Sequence, residues 1–239
     1  MKIDIAVPTL DRYNKMDVCI ESVANSEYKV DGCDSVEMYA LVSSMEEYDR
    51  YIEKYTDYPW FHVEMTDYSK VSTCWNNFIQ SSDADAVLFL CDDTELDKDC
   101  LRNASEYLSM TFPDLDGVVG LNVTNYPPHW PEAITQYGFR LVGMPFHDRY
   151  FIDRVAYCPE YYRFYVDTEM GEYAKEVEKF IFCQGAKLKH YHPDAPNGVK
   201  DATHKANRGD RQKWDDIIWK ARQEKGYLWG RNFDIVGVR

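Results

Sequence analysis

Three features that would point at once to a function class are missing from this chain. The first strand-like segment runs into Pro8-Thr-Leu-Asp-Arg12, which contains no glycine. That argues against the glycine-rich loop of nucleotidyltransferases and the G-x-G-x-x-G turn of dinucleotide-binding oxidoreductases. No apolar run approaches the roughly 18–20 residues that cross a bilayer, and Met1 to Pro8 has no signal-peptide core. The expectation is a cytoplasmic protein without stable membrane insertion. The cysteines, at 19, 33, 74, 91, 100, 158 and 183, form no C-x-x-C pair and are odd in number. That pattern argues against zinc knuckles and a disulfide framework, and reduced thiols fit better. Asn103-Ala-Ser and Asn122-Val-Thr then read as chance matches to the glycosylation sequon.

Positive charge is also scarce. Against 41 acidic residues stand 27 basic ones, for a formal charge of −14. A broad electrostatic surface for phosphates, and with it a large nucleic-acid footprint, is thereby disfavoured. A bound diphosphate would need a metal ion or a few well-placed basic side chains. What the chain does have is 239 residues, 45% of them apolar, enough for one α/β domain with a full core.

Apolar patterning gives the order of elements. Strands are expected over 3–8, 36–42, 61–65, 86–91, 117–121 and 186–191, with an antiparallel edge strand over 137–143. Helices are expected over 16–23, 45–55, 72–81, 97–110, 168–180 and 214–221. The alternation predicts a doubly wound, mostly parallel sheet with flanking helices and a small antiparallel addition. No repeat or low-complexity linker is visible. Residues 1–195 are read as one domain, and 196–239 as a tail and helix packing on it.

Four places carry chemistry. Asp92-Asp93 closes the most apolar strand, where open parallel sheets bind ligands. Two adjacent carboxylates there suit Mn²⁺ or Mg²⁺, which bridge to a diphosphate; the plainer reading is a loop or N-cap pair. His190 and His192 share one side of a strand at period two, so either can join such a metal; the alternative is a pair of surface histidines. Asp167, in Tyr165-Val-Asp-Thr-Glu169, stands where a helix begins. It can act as a general base, as a cap, or as both. Pro8 to Tyr13 is placed to receive a nucleotide base, with Tyr13 stacking and Arg12 or Asp11 bonding. The aromatic stretch Tyr126 to Phe151, with Trp130, Tyr137, Phe139 and Phe146, is a candidate acceptor wall or simply core.

In this order the segments resemble glycosyltransferase family 2. Ile3-Asp-Ile-Ala-Val-Pro-Thr-Leu-Asp-Arg-Tyr13 is similar to that family's first strand and base-binding loop. Asn76-Asn77 falls where it often carries an asparagine. Ala86-Val-Leu-Phe-Leu-Cys-Asp-Asp-Thr94 resembles the strand entering its D-x-D motif. Phe164-Tyr-Val-Asp167-Thr-Glu-Met-Gly171 resembles its base segment, and Lys189-His-Tyr-His192 its late metal histidine. The resemblance spans roughly residues 3 to 192 and implies a GT-A fold and inverting transfer from a nucleotide sugar, a UDP-sugar by default. It implies Asp93 as direct metal ligand with His190 or His192, and Asp167 as base. Pro8, Thr9, Arg12, Tyr13, Asn77, Asp92 and Trp130 become the substrate contacts. The sequence departs from the family at Cys91, which removes the first Asp of the motif, and at Ser43-Ser44, which lack its nucleotide-reading carboxylate. The acceptor stays open between a glycan, a protein and a modified nucleobase. Lys200, Lys205, Arg208 and Arg211 form a basic cluster that can close over a diphosphate or be a solvated tail. A catalytically silent module that binds a nucleotide sugar or glycan is the rival from another class.

Overall fold

The two most apolar strand segments lie side by side in the middle of the sheet. In the computed structural model, which describes residues 1–10, 12–26, 35–67, 69–127, 130–193 and 208–230, β1 (Lys2–Pro8) pairs in parallel with β4 (Ala86–Phe89). Each is buried on both faces, as an inner strand of a parallel sheet must be. Their side chains alternate: Ile3, Ile5, Val7 and Leu88 enter one apolar layer, while Ala6, Val87 and Phe89 enter the other.

Helix α1 (Tyr13–Ala24) follows β1, and β2 (Ser35–Val42), α2 (Met45–Lys54) and β3 (Phe61–Met65) extend the parallel half. Ser44 caps α2 by accepting from the Glu47 N–H at 3.2 Å. Helix α3 (Val71–Ser81) precedes β4. After β4 come a short strand β5 (Thr94–Leu96), α4 (Cys100–Thr111), β6 (Val118–Val123), α5 (Glu132–Tyr137), β7 (Arg140–Gly143) and α6 (Met144–Tyr150). Then α7 (Val166–Glu176), β8 (Phe180–His190) and α8 (Asp210–Glu224) complete the described elements. The eight-stranded sheet runs β3-β2-β1-β4-β7-β6-β8-β5. Helices α1, α2 and α4 supply one apolar layer, and α3, α6, α7 and α8 the other. Among the described residues no helix is long and apolar enough to cross a membrane.

The antiparallel addition differs from the expectation. No edge strand spans 137–143: residues through Tyr137 are helical, and β7 starts at Arg140 and lies between β4 and β6, antiparallel to both. The physical reason is Arg140, a charge that reads as outward-facing but is fully buried. Its two terminal nitrogens donate inside, to the Tyr137 carbonyl at 2.6 Å and the Tyr157 hydroxyl at 2.7 Å. The last strand is also longer than expected. Its register against β6 jumps from Leu121↔Cys183 to Asn122↔Lys187, and beyond this irregularity it pairs with β5, Thr94 opposite His190. That jump brings His190 to the carboxyl end of β4.

One buried group gives the fold a defined acid sensitivity. His147 is fully buried against Phe146 and Phe151, and neither ring nitrogen has a partner among the described residues. Burial, helped by the Arg140 and Arg154 charges, pushes its pKa down to about 3. A histidine depressed in the folded state stabilises fully above its unfolded pKa of about 6.5, and that contribution drains away as pH falls towards 3. Replacing His147 by Leu is therefore expected to flatten the fall in urea-unfolding free energy across this window. Parallel slopes for the two proteins would contradict it.

Candidate active site at the carboxyl edge of the sheet

Strands β1 and β4 end together, so the residues after Pro8 and Phe89 share one edge. Thr9 Oγ1 donates to Asp92 Oδ2 at 3.0 Å. The Arg12 guanidinium bridges both carboxylates, with Nη1 2.5 Å from Asp92 Oδ1 and Nη2 2.8 Å from Asp93 Oδ2. His190 Nε2 lies 2.9 Å from Asp93 Oδ1, and the Tyr126 hydroxyl meets His190 Nδ1. Asn125 holds the His190 backbone at both polar atoms, 3.0 Å to its carbonyl and 2.9 Å from its N–H. All of Thr9, Arg12, Asp92, Asp93 and His190 are buried.

Charge is divided unequally between the two carboxylates. Burial first, and the Asp93 charge second, push Asp92 up to about 7. For Asp93 burial acts upward too, but the charge and hydrogen bond of His190, then Arg12 and Lys15, outweigh it and hold the group well below the usual carboxylate range. Asp93 is thus the more acidic of the pair. Burial, then Asp93, also push the Cys91 thiol up.

Among the described residues, one group of His, Cys and carboxylate donors has metal-site spacing: Cys91, Asp93 and His190, whose ligand atoms lie within 4.8 Å of one another. A hard oxygen, an imidazole nitrogen and a sulfur fit a divalent cation, and the mixed set suits a transition metal better than Mg²⁺. His192 is outside this group, its ring 5.2 Å from that of His190 and edge-on to Trp130 at 6.5 Å.

A cavity of about 510 Å³ opens beside this cluster. Pro8, Arg12, Cys91, Asp92 and the two histidines line it together with Tyr126, Trp130 and Phe139 and with Arg163, Asp167 and Arg208, and the Arg163 charge acts on both Cys91 and Asp92. Asp167 is half-buried in the first turn of α7, where its Oδ1 accepts the Thr168 N–H at 2.9 Å. It does not cap the helix. The N-cap is Tyr165, held at φ +67°, a left-handed conformation that non-glycine residues seldom adopt.

The structure therefore brings Pro8, Arg12, Asp92, Trp130, Asp167, His190 and His192 onto one cavity, with Thr9 and Asp93 bonded to its lining. Two expected contacts lie elsewhere. Tyr13 does not line the cavity; its ring packs 5.5 Å from Tyr51 and under Arg50 at 3.6 Å. Asn77 is exposed on the outer side of α3, whereas Asn76 is buried and holds Tyr157 by two backbone bonds of 2.7 and 2.9 Å. Within the aromatic stretch, Tyr137 packs on Phe180 and Phe146 on Phe151, so both serve the core. Asp11, Lys200 and Lys205 are outside the described residues, and Arg211 lies 5.7 Å over the Tyr162 ring.

Sequence reasoning missed Arg163, Tyr126 as the partner of His190, and Asp215. The buried Asp215 carboxylate accepts three successive backbone N–H groups, those of Tyr162, Arg163 and Phe164, at 2.8–2.9 Å. It fixes the turn that presents Arg163. The only advance sign was its place in an amphipathic segment.

No family model matches the chain, and no curated protein matches it. Solved structures do. The Staphylococcus aureus protein TarS, residues 1–349, in complex with UDP-GlcNAc matches with a TM-score of 0.69 at 12% identity, over 98% of this chain and 68% of that one. Another structure of the same TarS segment matches at 0.61 and 14% identity, over 81% and 62%. The mannosyltransferase PcManGT of Pyrobaculum calidifontis, in complex with GDP-Man and Mn²⁺, gives 0.65 at 14%, over 92% and 64%. The matched part spans about three-fifths to two-thirds of these longer chains. The chain has a glycosyltransferase fold, α/β with a mixed central sheet.

Proposed function

We propose that this chain transfers a sugar from a nucleoside-diphosphate sugar to an acceptor hydroxyl, with inversion and with a divalent cation. The observation that carries the reading is that residues of the carboxylate–histidine cluster and Asp167 line one and the same cavity. The complexes of TarS with UDP-GlcNAc and of PcManGT with GDP-Man and Mn²⁺ support it, since both share the fold at low identity.

Each residue has a role that its position supports. Asp93 and His190 would hold the cation, which supplies charge neutralisation on the departing diphosphate. Arg163 and Arg208 add positive charge on the wall of a strongly acidic protein, where a diphosphate needs it. Asp167 Oδ1 is occupied by the Thr168 N–H, which leaves Oδ2 to take the acceptor proton. The acceptor oxygen then attacks the anomeric carbon opposite the diphosphate. One displacement follows and no covalent sugar–protein intermediate forms. Trp130, Tyr126 and Phe139 offer ring faces to a sugar acceptor. A UDP-sugar is the first donor to try, and a glycan, protein or modified nucleobase the acceptor.

One observation favours the second reading, a binding module without turnover. Arg12 already neutralises both carboxylates, so the cluster has a resident positive charge. Donor hydrolysis separates the two. Across UDP-, GDP- and other nucleotide sugars, one donor should release its nucleoside diphosphate with Mn²⁺ present. Chelation or Asp93→Ala should cut that rate by about two orders of magnitude, the size of several kcal/mol of charge stabilisation. Donor binding with no release under any metal would favour the binding module.

A further inference from the structure

We propose that Cys91 is a direct ligand of the cation, and that this site selects a thiophilic or borderline divalent ion such as Zn²⁺ or Co²⁺ over Mg²⁺. The inference rests on the reading above only in that a cation binds at Asp93 and His190.

Three observations support it. The Cys91 sulfur, an Asp93 oxygen and a His190 nitrogen already lie within 4.8 Å of one another. Asp92 is not part of that group. Cys91 is thus the donor grouped with Asp93 and His190 that can bring a second negative charge to a cation there. The supporting shell is also in place: Tyr126 engages His190 Nδ1, which turns Nε2 to the site, and Asn125 fixes the backbone behind it. Outer bonds of this kind set ring orientation in metal centres.

Cys91 differs from the other described cysteines in surroundings as well. Cys19 bonds Thr94 and Cys183 the Asn103 carbonyl, and Cys100 is fully buried in the apolar layer. Among the described cysteines Cys91 alone lines the cavity. On binding, its S–H proton leaves to solvent as a sulfur lone pair forms the bond to the cation. Thiolate and carboxylate together then balance a 2+ charge. A sulfur ligand favours softer ions because its polarisable lone pairs bond them better than they bond Mg²⁺, which keeps oxygen and water.

Co²⁺ is the probe, because its spectrum reports ligand type without any turnover. Metal-free full-length protein titrated with Co²⁺ should develop a sulfur-to-cobalt charge-transfer band in the near ultraviolet. In Cys91→Ser that band should vanish while weaker visible bands from Asp93 and His190 remain. Zn²⁺ should displace Co²⁺ at a concentration at least about a hundredfold below that needed with Mg²⁺. Should the serine variant fail to fold, the ¹¹³Cd chemical shift of the unmodified protein reads sulfur ligation directly. Co²⁺ bound with visible bands alone, or a charge-transfer band unchanged in Cys91→Ser, overturns the Cys91 assignment and leaves the donor reading intact. No bound Co²⁺, with or without UDP, overturns both.

Discussion

Asp167→Asn is expected to lower the turnover of sugar transfer by roughly 10²–10⁴-fold, the usual contribution of a positioned general base. The substitution is nearly isosteric. An asparagine carbonyl still accepts the Thr168 N–H that Asp167 Oδ1 accepts at 2.9 Å, so the first turn of α7 is unchanged. What is lost is the second oxygen as a proton acceptor. In the proposed reaction the cation, not Asp167, holds the donor diphosphate, so the donor Kd, measured by calorimetry with Mn²⁺, should stay within about twofold while kcat collapses; a loss confined to kcat marks an interaction made in the transition state. A variant that transfers sugar at the original rate would remove Asp167 from the mechanism. Weak donor binding would instead assign it to the donor site.

The largest expected loss of stability comes from Glu169→Ala. Glu169 and Arg222 are both buried, and Arg222 Nε donates to Glu169 Oε1 at 2.7 Å. The same oxygen accepts the Trp229 N–H at 3.2 Å. Removing the carboxylate leaves a guanidinium that cannot shed its proton in a protein with only the longer Glu160 contact at 3.9 Å, and breaking such a pair costs about 3–5 kcal/mol. Urea unfolding followed by circular dichroism measures it. The double variant Glu169→Leu with Arg222→Met should recover most of that loss, because a matched apolar pair leaves no charge inside. A single variant within about 1 kcal/mol of the parent would mean that water reaches Arg222.

Legibility from sequence followed how local the determining contacts are. Strands β1, β2 and β3 were readable because apolar alternation and flanking turn residues decide them. Asp92, Asp93 and His190 were readable as a set, since the end of a buried strand is a place where carboxylates need a reason. Of the two adjacent asparagines, neither lines the cavity. On a helix one residue is about 100° of rotation, and Asn76 faces inward while Asn77 faces water. The edge-strand expectation failed because Arg140 finds a buried partner in Tyr157, seventeen residues away, which no local pattern displays. Arg163 belongs to the same kind of miss: its position depends on Asp215, fifty-two residues later in the chain. Cys91 was noticed only as a departure from a motif, because its meaning depends on a histidine far along the sequence.

The contacts from α8 also impose an order of events on a chain made from one end. Asp215 holds the turn at 162–164, and Trp219 lies flat on Tyr165, ring centres 5.0 Å apart with planes at 3°. The parallel strands, with Asp92 and Asp93 at their ends, need nothing beyond β4 to pair with one another. The wall bearing Arg163 and Asp167 has to wait until Arg222 has left the ribosome. A nascent chain therefore carries its paired carboxylates well before the wall that faces the same cavity is in place.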